Sequence, residues 1–335
     1  MIRFSSLCLV CALGCASAPR MQAPKLDTPV PETYQALSIP TAQSDSLWWA
    51  TFGDARLDSL VAQALAFNHD LQATSARLAI AQAQAKSAGA PLLPQVGAGF
   101  SGSKRKQNFI GLPFAGQGAG VNSSTSDAYG VSVNASWEID LWGKLSANQA
   151  AALANLEASR ALYRGARQSL AAQTAKAYFA AIEAKQQLEL ARANFENNKT
   201  TAEQIEVRFT RGVLSSLDLR LSLADLAIAE DRLHQRQQVN TLIVRQLEVL
   251  LGKYPSAALL VSDKLPGVPS SVPGGLPADL ISRRPDLVAA ERRFAASVSS
   301  HQSAKRSRYP SFSLTASGGT SSSALGDLLN GDYSV

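Results

Sequence analysis

Residues 57–102 of the chain are echoed by residues 273–318 at a constant offset of 216. Asp70-Leu71 recurs as Asp286-Leu287, Ala73 as Ala289, Arg77 as Arg293 and Ala79 as Ala295. Pro94 recurs as Pro310, and Ser101-Gly102 as Ser317-Gly318. An internal duplication constrains a fold more than any local motif, because both copies must build the same unit. Each copy pairs an Ala-rich helical stretch with a proline and a strand of alternating residues. The second copy breaks off early, so the chain is expected to be a fragment. At the same offset a return strand would centre near about position 351, two long helices would follow, and the intact chain would reach at least about 467 residues.

The N-terminus reads as an export signal over residues 1–14. Arg3 supplies the positive start, and Phe4 to Leu13 is an apolar run too short to span a bilayer. No later apolar run approaches the roughly 20 residues of a transmembrane helix. All three cysteines, Cys8, Cys11 and Cys15, lie in or at the end of this signal, which argues against a disulfide framework or a Cys-based metal site in the mature protein. Ala12-Leu13-Gly14-Cys15 resembles a bacterial lipobox, in which Cys15 is lipidated and becomes the first residue; Ala16 after it points to the outer membrane. The alternative is an ordinary signal peptide cut after Ala16 or Ala18.

Residues 15–45, with Pro19, Pro24, Pro29, Pro31 and Pro40, read as a lipid anchor followed by an extended leader. The first repeat occupies 46–251. Leu57, Leu60, Val61, Ala64 and Leu65 make one apolar helical stripe. Asn68 caps a second helix beginning at His69; the repeat supports that register, because Pro285 stands in the place of His69 and proline favours the first helical position. Pro91 and Pro94 end that helix, and residues 95–103 alternate as a strand. A polar, Gly-rich loop is expected over about 104–126. Tyr129, Val131, Val133, Ala135, Trp137, Ile139 and Leu141 then face one way, while Gly130, Ser132, Asn134, Ser136, Glu138 and Asp140 face the other. Alternation this long, aromatic near both ends, suits a membrane β-strand with its apolar side to lipid and its polar side to a lumen. The hairpin is thus placed at about 95–141.

A long helical hairpin is expected at about 144–251. From Lys144 to about Arg211 there is no proline and one glycine, Gly165. Gly212 stops that helix, and Ser215 with Asp218 gives a capping signature for the next, which runs to Gly252. Residues 252–275 read as a Pro/Gly-rich connector, and 276–335 as the truncated second repeat.

No chemistry-bearing constellation emerges. Gly97-Ala98-Gly99-Phe100-Ser101-Gly102 spells G-x-G-x-x-G, but no helix follows it, and glycines on the crowded inner face of a strand explain it better. His69, His234 and His301 stand apart, without metal-ligand spacing. Glu138 and Asp140 read as polar lining near the mouth of a lumen rather than a glycosidase pair. No enzyme and no cofactor are expected. The net charge of +6 is modest. Lys104-Arg105-Lys106 and Lys305-Arg306-Ser307-Arg308 are its only tight clusters, and these read as solvated or headgroup-facing charge rather than a nucleic-acid surface.

Several motifs together resemble the outer-membrane efflux protein (TolC-like) family, in particular its lipoprotein branch paired with resistance-nodulation-division pumps. They are Trp48-Trp49 with Phe52 and Asp54, Ala64-Leu65 with Asn68 and Asp70-Leu71, Ser136 through Lys144, and Leu276-Pro277 with Leu280 and Arg283 through Leu287. The resemblance implies a mostly α fold with membrane β-hairpins. Long antiparallel helical hairpins would form a periplasmic α-barrel, joined to an outer-membrane β-barrel shared by a homotrimer. It implies a passive duct for drugs or other small toxic compounds, working with a periplasmic adaptor and an inner-membrane pump. Arg208-Phe209, Gly212-Val213 and Asp218 match the family's tip motif, so the adaptor contact is expected at Arg208, Gly212, Val213 and Asp218. A strand left unpaired in lipid is prohibitively costly, so residues 1–335 alone are not expected to conduct. The competing readings are a periplasmic coiled-coil adaptor, a structural coiled-coil lipoprotein and a nucleotide-dependent enzyme. A heat- and detergent-resistant trimer would separate a duct from the first two, and the missing helix after Gly102 argues against the third.

Overall fold

The structure of the chain, a computed structural model, describes residues 47–109, 122–269 and 283–328. The signal segment, Cys15, the leader and the Leu276-Pro277 motif lie outside the described residues. Two compact units are present. Of the described residues, one contains 81–109, 122–156 and 293–328; the other contains 47–80, 157–269 and 283–292.

In the second of these, a short 3₁₀ turn at Trp48–Phe52 leads into α1 (Ala55–Phe67). Asp54 caps α1, its Oδ1 accepting the N–H of Arg56 at 2.8 Å and of Leu57 at 3.2 Å. Leu57, Leu60, Val61 and Ala64 are buried and Leu65 is half-buried, as the helical spacing requires. Helix α2 (His69–Gly89) follows at once. Asn68 is buried between the two helices; its Oδ1 accepts from Leu71 N–H at 3.0 Å, and its amide donates to the Leu250 carbonyl at 3.0 Å.

Helix α3 runs from Lys144 to Thr210 and α4 from Ser216 to Leu250. They pack antiparallel. Leu170, Tyr178 and Ile182 of α3 share one core with Val244 and Leu247 of α4, while Leu190 and Asn194 face Ile228 and Arg232 nearer the turn. Helix α1 closes this core, with Phe52 and Phe179 meeting at 5.2 Å between ring centroids. Small residues allow a second close contact: Ala158 and Ala161 of α3 pack on Ala289 of α5 (Pro285–Arg306), and a Cβ on Gly165 would stand 3.2 Å from Pro285 Cβ.

The segment after α4 is more than a connector. Gly252, at φ +71°, ends the helix, with Gly252 N–H donating to Val249 O and Lys253 N–H to Glu248 O. The chain then folds back on Glu248, and Ala257, Leu259 and Val261 pack against the core. Sequence punctuation marked this stretch as a linker because its anchors lie outside it, on α1, α3 and α4.

The other unit is a three-stranded antiparallel sheet in the order β1 (Gln95–Phe109), β2 (Asn122–Ile139), β3 (Phe312–Ser322), with the adjoining helix ends. Both strands of the first hairpin exceed the sequence expectation: residues 104–109 and 122–126 are strand, not loop. Lys104 through Asn108 are polar on both faces, so the period-two signal fades while the backbone ladder continues. The duplication is visible in the elements, since α5 starts where the offset carries His69, and a strand follows the proline in each copy.

Candidate membrane sheet and helical tip

The sheet register decides which residues share a face. Phe100 lies opposite Val131, which lies opposite Thr320; Ala98, Val133 and Gly318 form the next row, and Val96, Ala135 and Ala316 the one after. Trp137 pairs with Leu314 and Ile139 with Phe312. Tyr129 closes the other end of this apolar face. On it Val96, Phe100, Val133 and Leu314 are exposed. The opposite face carries Gly97, Asn134 and Ser317, then Gly99, Ser132 and Gly319, then Ser101, Gly130 and Ser321. Six of the strand residues read as lipid-facing, Tyr129, Val131, Val133, Ala135, Trp137 and Ile139, thus lie on one side of β2.

Leu141 does not belong with them. Strand β2 ends at Ile139, and Leu141 sits in a turn in which its N–H donates to Ile139 O and Gly143 adopts φ +72°. Asp140 forces the break. Its carboxylate accepts from Leu145 N–H at 2.9 Å, Ser146 N–H at 2.8 Å and Ser146 Oγ at 2.6 Å, covering the open N-terminus of α3. Burial raises the Asp140 pKa, but the Ser146 hydroxyl and the N–H groups of Ser146, Leu145 and Lys144 outweigh it and hold it below its usual range. Glu138 pairs with Lys144 Nζ at 2.5 Å. These two carboxylates, read from sequence as lumen lining, therefore serve the strand-to-helix joint.

Two tryptophans fasten the same joint. Trp137 Nε1 donates to Leu92 O at 3.0 Å, and Trp142 Nε1 to Pro310 O at 2.8 Å, with Trp142 stacked on Tyr309 at 5.1 Å. Arg306 donates to Gly143 O at 2.7 Å. Each strand is thereby indexed to the helix end beside it. Sequence reading missed these contacts because the partners of Trp142 and Gly143 lie more than 160 positions away.

The glycines of G-x-G-x-x-G sit in mid-strand, with no helix after them. They are not crowded in the way expected: a Cβ on Gly97 would meet nothing within 4 Å. The crowded glycine is Gly319, whose added Cβ would overlap the Val131 carbonyl oxygen, whereas Gly318 faces open space. Gly319→Val is therefore expected to separate β3 from β2 and Gly318→Val to leave the pairing intact, read as hydrogen-exchange protection of residues 130–134. Equal protection in both variants would contradict the register.

At the far end of α3, the turn brings Arg208, Gly212, Val213 and Asp218 together. Val213 N–H donates to Arg208 O at 2.9 Å and Gly212 N–H to Phe209 O at 2.9 Å, with Gly212 at φ +72°, a Schellman stop. Ser215 and Asp218 form a reciprocal capping box: Asp218 N–H donates to Ser215 Oγ at 3.2 Å, and Ser215 N–H to Asp218 Oδ2 at 3.0 Å. The Ser215 hydroxyl and then its N–H hold the Asp218 carboxyl below its usual range. Locked backbone and exposed apolar side chains coincide here, Val213 being 70% and Leu217 65% accessible. Among the described residues no helix is long and apolar enough to cross a membrane, and no group of three metal-ligating side chains occurs.

Comparison with known proteins agrees with this architecture. The family description "Outer membrane efflux protein" matches residues 60–253. The chain is 30% identical over 331 residues to the pyoverdine export outer membrane protein OpmQ of Pseudomonas aeruginosa, covering 98% of this chain and 69% of that one. It is 31% identical over 341 residues to the toluene efflux pump outer membrane protein TtgF of Pseudomonas putida, covering 98% and 69%. The solved open state of the MtrE outer membrane channel of Neisseria gonorrhoeae superposes with a TM-score of 0.73 at 27% identity, covering 96% of this chain and 70% of that one. The fold is that of the TolC-like outer-membrane channels, largely helical with a few strands. With its matched helical region, its sheet and its long hairpin all accounted for, the chain belongs to the outer membrane efflux protein family.

Proposed function

We propose that the protein is the outer-membrane duct of a tripartite efflux pump, a passive exit for drugs or other small toxic compounds. The observation that carries this reading is the two-faced sheet fastened, through Asp140 and the two tryptophans, to the helix ends beside it, among them the first turn of the long α3. A barrel needs strands apolar outside and polar inside. A duct needs its wall to continue from that barrel without a flexible link. On this reading Tyr129, Val131, Val133, Ala135, Trp137 and Ile139 face lipid, and the Gly/Ser/Asn face lines the lumen. Three protomers share the barrel, Cys15 carries the lipid anchor, and the protein does no chemistry; energy comes from an inner-membrane resistance-nodulation-division pump.

The tip at Arg208, Gly212, Val213 and Asp218 contacts the periplasmic adaptor. Its exposed apolar residues on a double-capped turn suit a docking knob, since little order has to be gained on binding. The test is a Val213→Cys protein carrying a photo-crosslinker, co-expressed with adaptor and pump in cells lacking their own outer-membrane component. A crosslink from the tip to the adaptor is expected; co-expression without any tip crosslink would sink the docking assignment. Gly212→Ala forces a Cβ into the left-handed region, at about 1–2 kcal/mol. It should weaken the crosslink severalfold while leaving trimer assembly unchanged on gels.

A further inference from the structure

The apolar face of the sheet does not end in neutral loop. Continuing the alternation of β1 beyond Gly102 places Lys104 and Lys106 on the same face as Val96, Ala98 and Phe100, and Arg105 on the opposite, polar face. Lys104 lies across from Asp127, with Nζ 3.6 Å from Oδ1, and is 74% accessible; Lys106 lies across from Thr125. From Gln95 to Ser126 the sequence contains no Asp or Glu at all. Lys104, Arg105 and Lys106 thus stand against one facing acid among the described residues, the half-buried Asp127, and its pair with Lys104 is long and leaves the lysine open to solvent.

The depth of these lysines follows from strand geometry. The apolar face runs from the Ile139 and Phe312 row to Tyr129, ten residues along β2. At about 3.3 Å per residue and a tilt of about 40°, that is roughly 25 Å along the membrane normal, the height of the apolar band of an outer-membrane barrel. Lys104 and Lys106 then stand about 5 and 10 Å beyond the band, in the headgroup layer. They lie at the end of the hairpin away from the long helices. We infer that Lys104 and Lys106 form a docking strip for phosphate-bearing lipid headgroups of the outer leaflet. This rests on the membrane-duct reading. Their stems extend over the apolar band while the ammonium groups reach phosphate. Arg105 points to the lumen and takes no part.

The test uses residues 1–335, folded in detergent and offered to vesicles of phosphatidylcholine alone or with one third phosphatidylglycerol. Surface association, which leaves the unpaired strand edge out of the lipid, is read by co-flotation. Association should favour the anionic vesicles roughly thirtyfold, as expected for two cations at a charged surface, and the preference should fade in high salt. Lys104→Gln with Lys106→Gln should abolish the preference while keeping association with neutral vesicles. Lys104→Arg with Lys106→Arg should restore it, and Arg105→Gln, an equal charge change on the other face, should leave it intact. A preference that survives the double Gln change, or that Arg105→Gln removes equally, would overturn the inference. So would equal association with both vesicles, which leaves the membrane reading standing. Failure to associate with either vesicle would remove both.

Discussion

Replacing Glu248 with Ala should detach residues 256–263 from the helical core and cost about 3–5 kcal/mol, because a buried carboxylate with several N–H partners leaves all of them unsatisfied when it goes. Glu248 is 3% accessible on α4. Its carboxylate accepts from the N–H groups of Ala257 at 2.7 Å, Ala258 at 2.9 Å and Leu259 at 3.0 Å, and from Ser256 Oγ at 3.3 Å. Ala257 is held at φ +60°, a left-handed conformation that alanine keeps only when its surroundings impose it. Glu248→Gln should lose most of the same stabilisation, since its amide turns a donor toward donors. The measurement is a urea midpoint in detergent, together with hydrogen exchange at residues 257–259. Unchanged exchange there in Glu248→Ala would refute the assignment.

Glu248 also predicts a pH dependence. Burial raises its pKa, but the N–H groups of Ala257, Leu259 and Ala258 and the Ser256 hydroxyl outweigh that, and the net shift is downward. A carboxyl whose pKa is lower in the folded chain than in the unfolded one binds its proton more readily when unfolded. Its stabilisation is therefore complete above the unfolded value of about 4.3 and is lost as pH falls through the depressed folded value. Protection at residues 257–259 should survive mild acid and collapse only in strong acid. The Gln variant should show no such step.

The second large effect is expected at Tyr178, fully buried in α3 at the centre of the core. Its hydroxyl donates to Asp54 Oδ2 at 2.8 Å and lies 2.8 Å from Ser262 Oγ. One side chain thus joins the cap of α1 to the segment after α4, beside the Arg56 bond to the Leu260 carbonyl and the Lys185–Asp263 ion pair. Tyr178→Ala removes an aromatic ring from a close-packed site and should cost about 3–5 kcal/mol. Tyr178→Phe keeps the ring and loses only the hydroxyl contacts, at about 1–2 kcal/mol. Denaturant midpoints of the two variants should differ accordingly; equal losses would mean that the hydrogen bonds, not the packing, hold the core.

Much of this architecture was legible from local pattern. The bounds of α3, the Asn68 cap, the Gly212 stop and the Ser215–Asp218 box depend on residues within a few positions of one another. The alternation of β2 showed its two faces directly. Strand length was not legible where Lys104 to Asn108 made both faces polar, nor was the true end of β2, because Asp140 acts as a cap for the following helix rather than as a strand residue. No signal near Tyr178 pointed to Asp54, 124 positions earlier.

What the sequence determined by itself is the set of units: the duplicated helix-and-strand pair, the two-faced strand and the capped turn, each encoded by short-range periodicity and backbone stops. Only the tertiary structure decided how those units are held. It paired β3 with β2 some 180 positions apart, folded the segment after α4 onto Glu248, and pinned strands to helix ends through Trp137, Trp142 and Arg306. The reason is physical: helical and strand periods repeat every few residues and leave a trace in the chain. A buried carboxylate, a tyrosine hydroxyl or an indole N–H must find a partner in space, and nothing in local spacing says where that partner lies.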